Sequence, residues 1–223
     1  MSTVLTPPLT GSIFAYKMTV DNGGAPCIDQ KILSLSICKP KIRQAAKEGD
    51  WIIGFGGKSV PDLCNRLIYI AKVTTVEDNG NYYKDATYSN RPDCIYTATS
   101  SGYAYRTGSR YHSPADLTHD LGASPNFDRA RNLLSEKGNF VYFGRNNAPS
   151  IAAIKGIYAN LPRGHVINHD PITRQRLEDF IISIFHQFCS GIHGEPTHMD
   201  PTAKCSESED EPFYILETPR SCN

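Results

Sequence analysis

Residues 38–58, CKPKIRQAAKEGDWIIGFGGK, decide how the chain is expected to fold. Pro40 suits the first turn of a helix because its φ is already helical, and Gly49 suits the position just after a helix. The residues between them therefore predict a short basic helix. The apolar run WIIGF at 51–55 follows and predicts a strand. A helix that leads directly into a buried strand indicates a domain of mixed α and β structure.

Apolar patterns on both sides of this stretch predict further elements. Strands are expected at 13–19, 32–38, 67–75 and 139–144, with a shorter one near 94–97. A short helix is expected at 128–135. Residues 77–127 are rich in Tyr, Ser, Thr, Gly and Asn and predict a long irregular excursion, which is a frequent place for function.

The longest predicted helix begins near residue 171. Asp170 suits the N-cap and Pro171 the first helical position. Apolar residues then recur at helical spacing, which predicts an amphipathic helix packed on the core. This predicted apolar face consists of Leu177, Phe180, Ile181, Ile184 and Phe188.

Composition limits the class of protein. The 223 residues carry no net charge, which argues against an indiscriminate polyanion binder. The seven cysteines form no C-x-x-C pair, which favours reduced thiols, and the N-terminus does not resemble a secretory signal. No run of about 18 apolar residues predicts a membrane span. We therefore expect an intracellular protein, cytoplasmic or nuclear, without membrane partners.

Charge is distributed unevenly along the chain. Residues 1–75 contain nine Lys/Arg and five Asp/Glu, whereas residues 195–223 contain two and seven. We predict one domain at 13–190, with flexible or loosely packed tails at 1–12 and 191–223. The acidic tail suggests one possible role, recruitment of a partner by a scaffold protein.

The stretch 38–58 also contains groups that attract anions. Lys39, Lys41 and Arg43 lie at the start of the predicted helix, where phosphate contacts are favourable. IIGFGGKS at 52–59 resembles a P-loop, but Ile52 occupies the position of a required glycine. The glycines would instead let backbone N–H groups approach an anionic or planar ligand. The alternative is an ordinary glycine hairpin.

Acidic, amide and histidine side chains provide further candidates. Asp21 and Asn22 follow the first predicted strand, where they would read a base edge or form a turn. His165 would exchange protons near neutral pH. His193 and His198, with Asp200 and Cys205 beyond them, match no closed zinc pattern, so no metal and no cofactor are predicted.

Five segments of the chain resemble one known family. They are YKMTVDNGGAPC (16–27), CKPKIRQAAKEGDWIIGFGGK (38–58), RLIYIAKVT (66–74), FVYFGR (140–145) and RGH (163–165). In this order they resemble the nucleotide modification associated domain 2 family, which is associated with systems that modify nucleotides or DNA bases. The matching positions include Asp21, Lys39, Lys41, Arg43, Asp50, Gly54, Tyr142, Gly144 and His165.

The order of elements is also similar to the PUA/EVE/ASCH group of small barrels. That resemblance implies an α+β fold with a small mixed, mostly antiparallel β-barrel flanked by helices and a C-terminal amphipathic helix. It also implies a pocket beside the early helix that holds a flipped base. The expected partner is a nucleotide or a single-stranded or modified nucleic acid.

Two main hypotheses for function follow. A binding module would use Asn22, Lys39, Lys41, Arg43, Trp51, Gly54, Gly56, Lys58, Tyr142, Gly144 and Arg163. An enzyme, either a hydrolase or a transferase, would use Asp21, Asp50 and His165 for acid–base chemistry, which requires these three to converge in one pocket. Separation of the three by more than about 10 Å would remove the basis for that mechanism.

Overall fold

The structure is a computed structural model that describes residues 5–6, 8–60, 65–145 and 148–198. In chain order its strands are β1 (Ile13–Met18), β2 (Cys27–Asp29), β3 (Ile32–Leu35), β4 (Trp51–Gly56), β5 (Leu67–Lys72), β6 (Thr75–Glu77), β7 (Tyr96–Thr99), β8 (Gly102–Tyr105), β9 (Asn132–Ser135), β10 (Phe140–Tyr142), β11 (His165–Val166) and β12 (Gly191–Ile192). Its α-helices are α1 (Pro40–Ala45), α2 (Leu117–Leu121), α3 (Lys155–Asn160) and α4 (Pro171–Gln187), with 3-10 turns at Asn81–Tyr83, Ala86–Tyr88, Pro114–Asp116 and Ala152–Ile154.

The described strands form three separate sheets, so the predicted α+β class is confirmed. The central sheet has the order β11-β1-β4-β5-β10-β12, with β1 and β4 parallel and β5 antiparallel to β4 and β10. The second sheet is antiparallel, with the order β2-β3-β9-β6, and β7 and β8 form a hairpin. A barrel requires the first and last strands of a sheet to pair. The edge strands β11 and β12 pair instead with β1 and β10, so the sheets of the described residues do not close into a barrel, and the barrel implied by the resemblance is not confirmed.

Helices α3 and α4 cover one face of the central sheet. Trp51 meets Phe185 of α4 edge-on at 5.7 Å between ring centroids, and Phe55 meets Tyr158 of α3 at 5.8 Å. The carboxylate of Asp170 caps α4 by accepting from two backbone N–H groups, as its sequence position predicts. The predicted apolar face of this helix packs inward: Leu177, Phe180, Ile181 and Ile184 are buried, and Phe188 is partly buried.

A row of tyrosines occupies the other face of the central sheet. Tyr16 on β1, Gly54 on β4, Tyr69 on β5 and Tyr142 on β10 lie side by side in register. Successive side chains of a strand point to opposite faces, so these residues face away from α4. The hydroxyl groups of Tyr16 and Tyr69 are 2.9 Å apart. We call Tyr16, Tyr69 and Tyr142 the tyrosine row.

Gly54 makes room for the tyrosine row. A Cβ atom there would lie 2.3 Å from Cε1 of Tyr69 and 2.8 Å from the sulfur of Met18. Tyr69 and Met18 are fully buried, so neither has space to move aside. The close packing explains the glycine at this position without any ligand.

We expect Gly54→Ala to lower the free energy of unfolding by about 2–3 kcal/mol, because overpacking forces buried side chains off their rotamers. Urea denaturation followed by circular dichroism measures this change. Gly156→Ala is the matched control, since a Cβ at that position in α3 meets nothing within 4 Å. The control should be neutral or stabilising by up to about 1 kcal/mol. Equal stability of Gly54→Ala and the wild type would contradict this account of the packing.

Strand β9 replaces the helix that the sequence predicts at 128–135. Leu133 pairs with Leu35 of β3 and with Val76 of β6. Both partner strands come from distant parts of the chain, and their backbone groups satisfy those of β9. The prediction is wrong because this non-local pairing overrides the local pattern.

The fold extends beyond the boundary predicted at residue 190. Gly191 of β12 pairs with Val141, and the N–H of His198 donates to the carbonyl of Asp21 at 2.8 Å. At the other end of the chain, Leu9 is buried and its N–H donates to Glu178 at 3.2 Å. Parts of both predicted tails therefore belong to the packed fold. The acidic run at 206–211 lies outside the described residues.

Candidate functional site

The start of α1 and the edge strand β11 enclose a cleft beside the tyrosine row. It contains about 330 Å³ of space, open solvent included. We call it the lysine cleft. It is lined by Tyr16, Lys39, Pro40, Lys41, Ile42, Gly164 and His165. The structure therefore brings together residues from three of the motifs that the sequence marked separately.

An unusual backbone turn aims Lys39 into this cleft. Cys38 and Lys39 both have positive φ angles, 53° and 46°, which residues other than glycine adopt rarely. Consecutive left-handed residues reverse the chain sharply, and Pro40 then starts α1. The turn places Cys38 on one side and Lys39 on the other, each lining a different cleft.

The lysine cleft is lined by basic side chains. Lys39 is only 5% exposed, and its Nζ lies 5.5 Å from the ring centroid of Tyr16. Lys41 is exposed at the rim. Burial, and then the charge of Lys41, lowers the pKa of His165 below its ordinary 6.5. The imidazole of His165 is therefore neutral at neutral pH, and beside the two lysine side chains it can donate one hydrogen bond and accept another.

A second cleft lies on the other side of the same turn. It contains about 250 Å³ of space, open solvent included, and we call it the cysteine cleft. Its lining consists of Val20, Asn22, Gly24, Ala25, Ile37, Cys38, Tyr111 and His112. The ring of Tyr111 packs on Gly24, where a Cβ would lie 3.0 Å from two ring carbons. An aromatic wall and an amide therefore flank the thiol of Cys38.

The thiol belongs to a chain of hydrogen-bonded groups. Cys38 Sγ is 3.0 Å from His112 Nε2, and His112 Nδ1 is 2.6 Å from Asp120 Oδ2. The other carboxylate oxygen of Asp120 accepts from the N–H of Cys38 at 2.9 Å. Burial acts to raise the pKa of Asp120, but the hydrogen bond and charge of His112, with the charge of Arg43, outweigh it and lower that pKa.

The sequence did not identify His112 or Asp120. Both belong to the region 77–127, which the sequence predicts to be irregular, but Asp120 lies in helix α2. His112 lies 74 residues from Cys38. No short spacing connects the three residues. The packing of this region against the second sheet and against residues 36–38 brings them together.

Arg43 serves the fold rather than a phosphate. Its guanidinium is fully buried and donates to the backbone carbonyls of Cys38, Asp120, Arg129 and Arg131 at 2.6–2.7 Å. A surface cation was expected, because the sequence shows the charge but not the direction of the side chain. The structure gives no support to the predicted phosphate contact at this residue.

Asp21 is also buried and fixes the end of the fold. It accepts from the Tyr142 hydroxyl at 2.8 and 3.0 Å, and from the N–H and hydroxyl of Thr197 at 3.2 and 3.0 Å. Burial raises the pKa of Asp21, against the opposing effect of these hydrogen bonds. Gly144 lets the segment around Glu195 pack nearby, since a Cβ at residue 144 would lie 2.0 Å from the carbonyl oxygen of Glu195.

The remaining residues of the 50–58 region also have structural roles. Asp50 accepts from the N–H groups of Ser12 at 2.6 Å and Lys47 at 2.8 Å. Trp51 lies under α4, on the face opposite the tyrosine row. The N–H of Gly56 donates to the carbonyl of Arg66, and the N–H of Gly57 donates to the carbonyl of Met18. Neither N–H group is therefore directed at a ligand.

Two predicted ligand residues lie at exposed positions. Lys58 is in a turn after β4, and Arg163 precedes Gly164 at the rim of the lysine cleft. Only Arg163 adjoins either cleft.

The predicted catalytic set of Asp21, Asp50 and His165 does not converge. Asp50 comes just before Trp51, which pairs with Ile13 at the start of β1. Asp21 comes after Met18, the residue at the other end of β1. At about 3.3 Å per residue, the strand separates the two carboxylates by roughly 20 Å. The distance exceeds the limit set for shared acid–base chemistry, so the sequence-based mechanism loses its basis.

The described residues provide neither a metal-binding cluster nor a membrane-spanning helix. They contain no group of three His, Cys, Asp or Glu side chains arranged to hold a metal. His193 stacks on Phe143, and His198 accepts the N–H of Asp21, while Asp200 and Cys205 lie outside the description. None of the described helices is both long and apolar enough to span a membrane.

Comparison with known proteins adds one match. A family model described as nucleotide modification associated domain 2 matches residues 10–203, which include both clefts and strand β12. The curated proteins and the solved structures give no match.

Proposed function

The chain belongs to the nucleotide modification associated domain 2 family, and from that premise we propose that it binds a nucleotide or an unpaired, modified base in the lysine cleft. The observation that carries this proposal is the convergence of Lys39, Lys41 and His165 on one cleft. Cations beside an aromatic ring suit a ligand with both a phosphate and a planar base.

Each group in the cleft has a distinct role in this proposal. Lys39 and Lys41 neutralise phosphate charge, and the neutral imidazole of His165 forms a hydrogen bond with a base edge or a sugar hydroxyl. Arg163 extends the positive rim. Asn22 lines the neighbouring cysteine cleft, where its side-chain amide provides a second polar contact.

The binding set is smaller than the sequence suggested. Lys39, Lys41 and Arg163 remain in it, and Asn22 remains in the adjoining cleft. His165 moves from the catalytic set to the binding set. The buried or hydrogen-bonded residues Arg43, Trp51, Gly54, Gly56, Tyr142 and Gly144 shape the fold instead.

We expect Lys41→Ala to weaken binding of single-stranded oligonucleotides at low salt by about 3–10-fold, because each lost phosphate contact reduces counterion release. The slope of log affinity against log salt should fall by about 0.7. Fluorescence anisotropy at several salt concentrations measures both quantities, with modified-base oligonucleotides and mononucleotides compared in parallel.

Lys47→Ala is the matched control for this test. Lys47 is exposed in the same stretch of sequence, but it does not line the lysine cleft. The control should bind like the wild type. An equal loss in both variants would indicate a diffuse charge effect, and no binding by the wild type at low salt would refute the proposal.

A further inference from the structure

The groups around the cysteine cleft form a nucleophile, a base and an orienting carboxylate in line. Sγ of Cys38 lies within hydrogen-bonding distance of His112 Nε2, and His112 Nδ1 is 2.6 Å from Asp120. We propose that Cys38 is the nucleophile of an acyl-transfer reaction, with His112 as its general base and Asp120 as the positioning residue for the imidazole.

The hydrogen bonds of Asp120 determine the state of the imidazole. Its Oδ2 accepts from the Tyr96 hydroxyl at 2.7 Å, and its Oδ1 accepts from the N–H of Cys38. A carboxylate with a lowered pKa accepts at both oxygens, so His112 Nδ1 keeps its proton and donates a hydrogen bond to Oδ2. Nε2 is then left with a lone pair that faces the thiol of Cys38.

The backbone holds the nucleophile and the base in place. Cys38 and His112 have φ angles of 53° and 56°. A left-handed backbone conformation is unfavourable for residues other than glycine, and residues that adopt it cluster at functional sites. Arg43 Nε binds the carbonyl of Cys38 at 2.7 Å, and the Tyr105 hydroxyl contacts the carbonyl of His112 at 3.2 Å. These contacts fix both main chains against relaxation.

The setting of Cys38 differs from that of two other described cysteines. Burial raises the pKa of the Cys27 and Cys94 thiols, which is typical of inert structural cysteines. Cys38 is also buried, at 7% exposed, but its side chain lines a cleft together with its histidine partner. A cysteine beside a histidine and open to a cleft meets the requirements of a nucleophile.

An acyl group suits the position of His112. In the first step the thiol proton passes to His112 Nε2, the bond between Sγ and the acyl carbon forms, and the bond to the leaving amine or alcohol breaks. His112 returns the proton to that leaving group. Water then adds to the thioester carbon with His112 as base, which releases a carboxylic acid and restores the thiol. Amides and esters need such a proton on the leaving group.

The location of the cleft suggests what carries the acyl group. The cysteine cleft and the lysine cleft lie on opposite sides of one turn, because the adjacent residues Cys38 and Lys39 each line one of them. We therefore take a substituent of a nucleotide base, with the nucleotide held by Lys39 and Lys41, as the acyl group. This assignment of the carrier rests on the proposed function, whereas the assignment of the nucleophile does not.

The nucleophile is tested with p-nitrophenyl acetate on the full chain. We expect a burst of p-nitrophenol and an acetyl group on Cys38, located by peptide mass spectrometry. Cys38→Ser should abolish that adduct, and His112→Gln should slow its formation by about 100-fold or more. Absence of acetylation at Cys38 in the wild type would overturn the proposal.

Iodoacetamide provides a test that needs no substitution. The rates of alkylation of Cys38 and the exposed Cys189 are compared in one sample between pH 5 and pH 9. A thiol activated by histidine keeps reacting at pH 6, where an ordinary thiol is almost fully protonated. We expect Cys38 to react at least about 10-fold faster there. Equal rates with the same pH profile would indicate a purely structural network and overturn the proposal.

The pH profile also tests the role of Asp120. Among the described residues, the titratable and charged groups around Cys38 and His112 include Lys39, Arg43, Tyr96, Tyr105, Tyr111 and Asp120. Asp120→Asn should shift the profile of Cys38 to higher pH and leave that of Cys189 unchanged. An unchanged profile for Cys38 would remove Asp120 from its positioning role.

A protection experiment separates this inference from the proposed function. Nucleoside monophosphates and single-stranded oligonucleotides should slow alkylation of Cys38 if both clefts serve one ligand. Loss of acetylation refutes the nucleophile even where nucleotides bind. Acetylation without nucleotide binding or protection supports the nucleophile and refutes the nucleotide as the carrier.

Discussion

Arg43→Met should lower the free energy of unfolding by at least about 3 kcal/mol, because each buried acceptor left without a donor costs about 1–3 kcal/mol. The guanidinium donates to four backbone carbonyls, and methionine fills similar space without any donor. Urea denaturation measures the change through the transition midpoint.

Arg43 also supports the cysteine cleft. Two of the four carbonyls belong to Cys38 and Asp120, so Arg43 joins the backbone of the nucleophile to that of the positioning residue. Arg176→Met is the control, since Arg176 is exposed on α4. Its effect should stay within about 0.5 kcal/mol. A loss below 1 kcal/mol for Arg43→Met would mean that water replaces the guanidinium, contrary to our account.

Asp21→Ala should lower the free energy of unfolding by about 2–4 kcal/mol, because the Tyr142 hydroxyl and two donors of Thr197 lose their acceptor. Asp21→Asn keeps one acceptor oxygen and should cost less. Both variants are compared with the wild type by urea denaturation.

The pH dependence of Asp21→Asn provides a sharper test. Because the pKa of Asp21 is raised in the fold above its ordinary 3.8, the folded state holds the proton more tightly than the unfolded state. The stability that this proton contributes is present below pH 3.8 and is lost as the pH rises through the folded pKa. Asparagine does not titrate. The stability of the wild type relative to Asp21→Asn should therefore fall over that range, and a constant or rising difference would contradict the raised pKa.

Local patterns predicted the elements that depend on neighbours in sequence. The Pro40 and Asp170 signals located α1 and α4, and apolar runs located β1, β4, β5 and β10. Strand β9 escaped prediction because its pairing with β3 and β6 depends on segments far away in the chain. The barrel came from analogy with other folds, and no local property of the residues specified closure.

The candidate site shows the same division. Lys39, Lys41 and His165 were predicted and share one cleft. Arg43 was misassigned because charge along a sequence does not indicate whether a side chain turns toward solvent or backbone. His112 and Asp120 were missed because they lie far from Cys38 in the sequence, in a region for which local patterns predicted no regular structure. Such residues become recognisable only when tertiary packing is known.

The contacts of β12 and Thr197 also affect how the protein is made. Synthesis proceeds from the N-terminus, so Asp21 and Tyr142 leave the ribosome before their partner Thr197 has been added. The central sheet lacks its last strand until Gly191 and Ile192 emerge. A nascent chain therefore exposes the unpaired edge of β10 until Gly191 and Ile192 emerge and pair with it, and an unpaired strand edge is prone to aggregation.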